Sequence, residues 1–437
     1  MKKFGFVPYL AIIVIGFLTA TYLPQENQQI EFTQSFPATV CPTTANSGNA
    51  VALLPNKNLR IRDIAPGKAA LKFRKPGSNS PVIGSKPILI TGNPSTTAVI
   101  QSKGSTWTGA AICTAGIADS WFVGGSGGLT SQSVLSIVNS GLSEAIVDIS
   151  AFSENLGVVK RAITIKQNLQ VNIRLDSLAP GSNSTVLHLE TRSGRVTSYL
   201  FDERKKGLKF YGGDFVNSQS APKINISIAG ILTNAGKNGK ITHSVRFLAP
   251  FDSNANVNLQ VLGSNGVFTP VGFDSIILKA GVVKEIPLNI DLGKTPIGVK
   301  ITSDQPIVAS VYTYIESKSS RDFTWSTPSG NLIKASINID GLEPTLALAG
   351  SSIDVNIKWT DFRNKSFIKT IHASDLINWK VPANTRLIEV TSLRTSVPLE
   401  GAGFVWGSTA GIAFLPLKTG SILESSSLPI SNISVIS

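Results

Sequence analysis

Apolar residues recur along most of this chain in short β-branched runs broken by Gly, Pro, Asn and Asp. That is the period-two signature of strands and turns, not the 3.6-residue signature of helices. From Ser133 the run reads SVLSIV, and from Ala145 it reads AIVDISAF, where alternation sets Ile149 and Ala151 on the face opposite Asp148 and Ser150. Runs beginning at Ala162, Leu169, Thr185 and Arg195 repeat the theme, with Ala179-Pro180-Gly181 turning the chain between the middle two. Strands this short, at this spacing, predict β-sandwiches.

The pattern repeats. SVLSIVNSGLSEAIVDISAF from Ser133 is similar to SVRFLAPFDSNANVNLQVLG from Ser244, and VLHLETRSGRVTSYL from Val186 lines up with IGVKITSDQPIVASVY from Ile297. Thr191 and Thr302 keep an offset of 111, so one register is expected across both units. A weaker third copy ends in LIEVTSLRTSVPLEGA from Leu387, with Thr391 matched to Thr302 at an offset of 89. The expected architecture is therefore all-β: tandem Ig-like β-sandwich units over 121–222, 223–330 and 331–437, after a β-rich disulfide-linked segment over 31–120 and an anchor or signal segment over 1–30. Trp121, Trp325 and Trp406 stand at the unit borders, each with a Phe within two residues; the expected role is core packing in preference to carbohydrate stacking.

The first residues set the expected compartment. Lys2 and Lys3 precede an uncharged, mostly apolar run from Phe4 to Leu23, long enough as a helix to cross the ~30 Å hydrocarbon core. The positive-inside rule then keeps the lysines in the cytoplasm and exports the body of the chain. The alternative is a cleaved signal peptide, for which Thr19-Ala20-Thr21 supplies small residues. Outside the cytoplasm, the two cysteines, Cys41 and Cys113, form one bridge by default, worth roughly 4 kcal/mol for a loop of about 70 residues. Two separate buried thiols are the alternative.

The stretch from Cys113 to Val216 carries CTAGIADSWFVGGSGG, VLSIVNSGLSEAIVDISAF and LDSLAPGSNSTVLHLETRSGRVTSYLFDERKKGLKFYGGDFV. It resembles an uncharacterised family of secreted, membrane-anchored actinobacterial proteins. The resemblance continues more loosely through FTPVGFDSIILKAG and SDQPIVASV to GIAFLPL, and includes a cysteine-proline like Cys41-Pro42. Asn139-Ser140 and Ala249-Pro250 depart from the family's usual Asn-Pro turn. The resemblance implies an envelope location and β architecture. It implies no activity, because the family has none established.

Motifs for chemistry are weak. Gly124-Gly125-Ser126-Gly127-Gly128 matches the nucleophile-elbow spacing, but β-branched residues follow where an elbow needs a helix. His188, His243 and His372 are scattered, which argues against zinc, and Asp202-Glu203 runs straight into Arg204-Lys205-Lys206, as at a solvated turn. Asp252, Asn254 and Asn256 begin like a calcium loop, yet Val257 stands where its glycine belongs. No cofactor, metal or enzymatic activity is expected. Net charge carries more content: 40 basic against 27 acidic residues give +13, a field that attracts polyanions. The densest cluster is Arg60, Arg62, Lys68, Lys72, Arg74 and Lys75, in which alternation sets Arg60 with Arg62, and Lys72 with Arg74, as candidate polyanion-binding residues; a second is Arg204, Lys205, Lys206 and Lys209. The expected partners are anionic wall polymer or envelope proteins and not nucleic acid, since no motif interleaves aromatics with these charges. The expected function is a non-enzymatic structural or binding protein of the cell envelope. An accessory subunit for envelope glycan assembly is the alternative, and a hydrolase ranks third.

Overall fold

The computed structural model describes residues 37–419, apart from 45–47, 105, 156, 235–238, 265, 290–292, 318–320, 395–398 and 409–410. The apolar run at Phe4–Leu23 lies outside them, and no helix among the described residues is long and apolar enough to cross a membrane. The described chain is almost wholly β, its helical content being two 3-10 turns, Lys68–Leu71 and Leu175–Ser177. The fold is the tandem all-β one that the hydrophobic pattern predicts.

Four two-sheet units follow one another. In the first, Thr39–Cys41, Ile88–Ile90 and Ile61–Asp63 form one sheet, and Val82–Ile83, Asn49–Leu53, Ala98–Ser102 and Thr108–Ile112 the other. Cys41 and Cys113 bridge them, with Cα atoms 4.4 Å apart and both sulfurs buried among Ala50, Leu54, Ile61 and Val99. In the second, Val159–Ile165, Ala145–Ser153, Thr185–Ser193 and Asp119–Val123 face Leu169–Arg174, Val134–Asn139, Val196–Lys206 and Lys209–Val216. The inward residues of Ala145–Ser153 include Ala145, Val147, Ile149 and Ala151, as alternation requires.

The third unit builds both sheets on one 20-residue strand, Ile297–Glu316. Its first half pairs with Lys223–Ile231 and Ala255–Gly263, and its second half with Lys240–Leu248 and Arg321–Ser326. The second unit uses two strands for the same task and breaks between them at Gly194, whose φ of +92° suits glycine. In the fourth, Lys334–Asn338, Thr385–Ser392, Ile353–Asp361 and Ser366–Ala373 face Leu376–Lys380, Thr345–Ala349, Gly401–Ser408 and Gly411–Pro416.

The single 111-residue register does not hold throughout. In the second unit Leu135 pairs with Leu200, so an offset of 111 on both strands would pair Arg246 with Val311; Val311 pairs instead with Val245. The same offset matches core Leu189 to Lys300, whereas the core residue there is Ile301. A slip of one residue turns a strand inside out, so the strands of the two units align individually and not as a block. The weaker third copy is in register: Thr302 pairs with Asn258 and Thr391 with Asn356.

The last strand of each unit, Thr108–Ile112, Lys209–Val216, Arg321–Ser326 and Gly411–Pro416, contacts the last strand of the next, and the fourth contacts the first. This closed ring leaves strand edges facing one another without mutual ladders, and their backbone N–H groups need acceptors.

Candidate functional site

Buried carboxylates supply those acceptors. Asp322 accepts N–H bonds from Gly213 (3.2 Å) and Phe323 (2.9 Å) on one oxygen and from Thr108 (3.1 Å) and Ile412 (2.9 Å) on the other, one donor from each unit. Asp214 accepts from Ala110 and Phe215 on one oxygen, and from the Thr324 hydroxyl (2.7 Å) and the Trp325 N–H (3.0 Å) on the other. The approach is close enough that a Cβ on Gly411, whose φ is +137°, would lie 2.3 Å from Asp322 Oδ2. Burial pushes the Asp214 carboxyl up to about 8 against these hydrogen bonds, and a protonated Asp214 can donate a hydrogen bond to Thr324 Oγ1 once that hydroxyl turns to accept. Burial pushes Asp322 up as well. All four of its partners are backbone N–H groups, however, so a proton on it would face only donors, and we read Asp322 as a carboxylate.

Asp202 and Glu203 reach in opposite directions because neighbours on a strand do so. Asp202 accepts the Trp325 indole N–H (3.2 Å) and the Ser133 hydroxyl (2.7 Å), while Glu203 accepts the Trp107 indole N–H (3.1 Å). The pair thus ties the second unit to the third and to the first. This corrects the reading of Asp202-Glu203 as a solvated turn: both are buried, and the strand runs on to Lys206. Arg204 pairs with Asp202 (3.2 Å) and lies over the Tyr312 ring, so only Lys206 and Lys209 of the second basic cluster are fully exposed.

Arg246, only 1% exposed, bolts the third unit to the second. It binds Glu285 (2.6 Å), donates to the carbonyls of Gly125 (2.7 Å) and Thr185 (3.0 Å), and stacks on Trp325 at 4.6 Å. The glycine-rich run at 124–128 gives this contact the Gly125 carbonyl and is itself packed tightly. A Cβ on Gly127 would sit 2.0 Å from the Ala179 carbonyl oxygen, and Ser126 is buried, donating to the Ser182 carbonyl. Burial pushes the Glu285 carboxyl up, but the Arg246 guanidinium and hydrogen bonds from Ser244, Ser184 and Arg246 outweigh it and hold it down at about 2. A depressed carboxylate stabilises the fold above its unfolded value and loses that contribution as pH falls. About 2 to 3 kcal/mol should therefore disappear between pH ~4.5 and ~2. Urea unfolding across that range is expected to show this acid limb in the parent and a flatter profile in Glu285→Gln.

The candidate polyanion residues separate. Arg60, Lys72 and Arg74 are exposed, with Arg74 paired to Asp63 at 2.8 Å. Arg62 is 4% exposed; it binds Asn168 Oδ1 and, at 3.1 Å, the Ser140 carbonyl, both in the second unit. The strand covers only Ile61–Asp63, so Arg60 lies outside it and alternation does not place Arg60 beside Arg62. Trp121 and Trp325 are buried and Trp406 packs on the fourth core, in keeping with core packing. Of the histidines, His188 and His372 pair with Asp119 and Asp354, and His243 binds the Leu232 carbonyl.

Two clefts are notable. One of about 400 Å³ lies against Gln219, Lys223, Asn225, Lys300 and Glu400, with Lys300 and Glu400 4.0 Å apart. Another, of about 570 Å³, opens in the fourth unit against Trp359, Phe362 and Phe367.

Residues 91–365 match the model of a family of unknown function, DUF5719. The chain belongs to this family. The match takes in the stretch from Cys113 to Val216 that carries the family resemblance, and stops short of GIAFLPL at Gly411. No curated protein matches the chain. Among solved structures it is similar to Thermotoga maritima 1070 (22% identity, 22% of this chain and 87% of that one, TM-score 0.20). It is also similar to the major pilin of Streptococcus pyogenes (9% identity, 68% and 99%, TM-score 0.13). A tetra-tandem repeat from the extending region of a large adhesion protein gives 11% identity, 87% and 93%, and a TM-score of 0.11. Scores this low carry no argument about what a DUF5719 chain does.

Proposed function

We propose that this DUF5719 protein is a non-enzymatic, extracytoplasmic component of the cell envelope that binds anionic wall polymer through its first sandwich. The observation that supports the reading is the exposure of Arg60, Lys68, Lys72, Arg74 and Lys75 within 16 positions of a chain carrying +13. Such a cluster concentrates polyanions in a salt-dependent way. The Cys41–Cys113 bridge supports the location, because disulfides persist in oxidising compartments. Arg246, Asp322 and their partners act within this reading as fasteners that hold the four sandwiches together.

The test is retention on purified anionic wall polymer. The parent should be retained at low salt and released near ~0.5 M salt, where the Debye length is about 4 Å. Arg60→Gln, Lys72→Gln and Arg74→Gln together should abolish retention. Arg62→Gln should instead lower stability and leave retention intact, since its guanidinium bonds hold the first two units together. Undiminished retention in the triple variant would sink the proposed site.

A further inference from the structure

We infer that the cleft at Trp359 in the fourth sandwich is a carbohydrate-binding site that takes pyranose rings of a glycan. Three aromatic side chains meet there. Trp359 and Phe367 are cross-strand partners on Ile353–Asp361 and Ser366–Ala373, their rings 17° from parallel and 5.4 Å apart. Phe362, in the hairpin turn between those strands, is 51% exposed and presents its ring to the cleft. Pro382 and Ala383 also line the cleft, and the volume of about 570 Å³ lies within the range of small-ligand sites.

The polar rim separates this cleft from a plain apolar groove. Arg363 and Asn384 line it, both exposed, and no hydrogen bond or ion pair engages either side chain among the described residues. Asp361 shapes the turn by accepting the N–H groups of Arg363 (2.8 Å) and Lys365 (2.9 Å) on one oxygen. A sugar ring offers an apolar C–H face and a girdle of hydroxyls. Aromatic walls take the face, and planar amide, guanidinium and carboxylate groups take adjacent hydroxyls. Trp121 and Trp325, which the sequence offers as border tryptophans, are buried and cannot do this; Trp359 packs on Trp379 at 5.2 Å and on the core but is only partly covered.

The inference deepens the binding half of the proposed function but stands on other residues, so its failure leaves the wall-polymer test untouched. Full-length protein is titrated with maltotriose, cellotriose, mannotriose and chitotriose, followed by tryptophan fluorescence. At least one trisaccharide should bind, with the signal lost in Trp359→Phe. Phe362→Ala and Asn384→Ala should each weaken binding about tenfold while the thermal midpoint stays within a few degrees of the parent. Binding by none of the four sugars overturns the inference. So does binding that is indifferent to Phe362→Ala and Asn384→Ala, or a preference for a proline-rich peptide over every sugar.

Discussion

Asp322→Asn is expected to destabilise the protein by about 4 kcal/mol or more, although it changes one atom and hardly any volume. Each oxygen of Asp322 faces two backbone N–H groups. Whichever way an asparagine amide turns, its NH₂ meets two donors and leaves them unsatisfied in a buried site, at about 1 to 3 kcal/mol each. Asp214→Asn makes the informative contrast. One Asp214 oxygen faces the Thr324 hydroxyl, which can reverse and accept, so an amide NH₂ finds a partner there. The expected cost is about 1 to 2 kcal/mol, because only the Trp325 N–H loses its acceptor. Urea unfolding of both variants checks this. Equal losses would show that the donors around Asp322 do not set its role. The asymmetry also bears on pH: a carboxyl raised to about 8 favours the folded state below its unfolded value near 4, and that contribution fades as pH climbs towards 8. Asp214→Asn mimics the protonated form and should flatten this slope.

The strands were legible because each buries one face, and alternation such as that of Val147, Ile149 and Ala151 reports that directly. The bridge was legible because two cysteines admit one pairing. The fasteners were not. Period two tells that Asp202 and Glu203 point apart, but not that another unit covers each face, so a charged pair before three cations read as solvent-facing. Arg62 failed for the same reason: its own strand gives no hint that Ser140 and Asn168 wait across a junction. A weak signal did exist. Asp-Phe occurs at 214–215 and again at 322–323, each in the closing strand of its unit, though also at 361–362 in an exposed turn, and a buried acid repeated in a fold is a candidate joint. The aromatic cleft was missed because Trp359 is at no unit border; its neighbours Phe362 and Phe367 are brought round it by a hairpin turn.

Arg246→Met should cost about 4 kcal/mol and loosen the joint between the second and third sandwiches specifically. The substitution keeps most of the stem volume but removes the fork that serves Glu285 and the carbonyls of Gly125 and Thr185. Glu285 is then left without its cation, and the breaking of a buried pair by loss of one partner is costly for that reason. Arg246→Lys should rescue only part of the loss, since an ammonium cannot bridge a carboxylate and two carbonyls in one plane while lying over Trp325. Removing both charges in Arg246→Met with Glu285→Leu relieves the stranded carboxylate yet still orphans the two carbonyls. The double variant is therefore expected to lie about 2 kcal/mol above the single one and below the parent. Limited proteolysis adds the location: cleavage should accelerate first in the glycine-rich run at 124–128, which loses one of its anchors, before the fourth sandwich is touched. A parent-like unfolding midpoint for Arg246→Met, or cleavage that begins elsewhere, would show that Arg246 is not the bolt between these units.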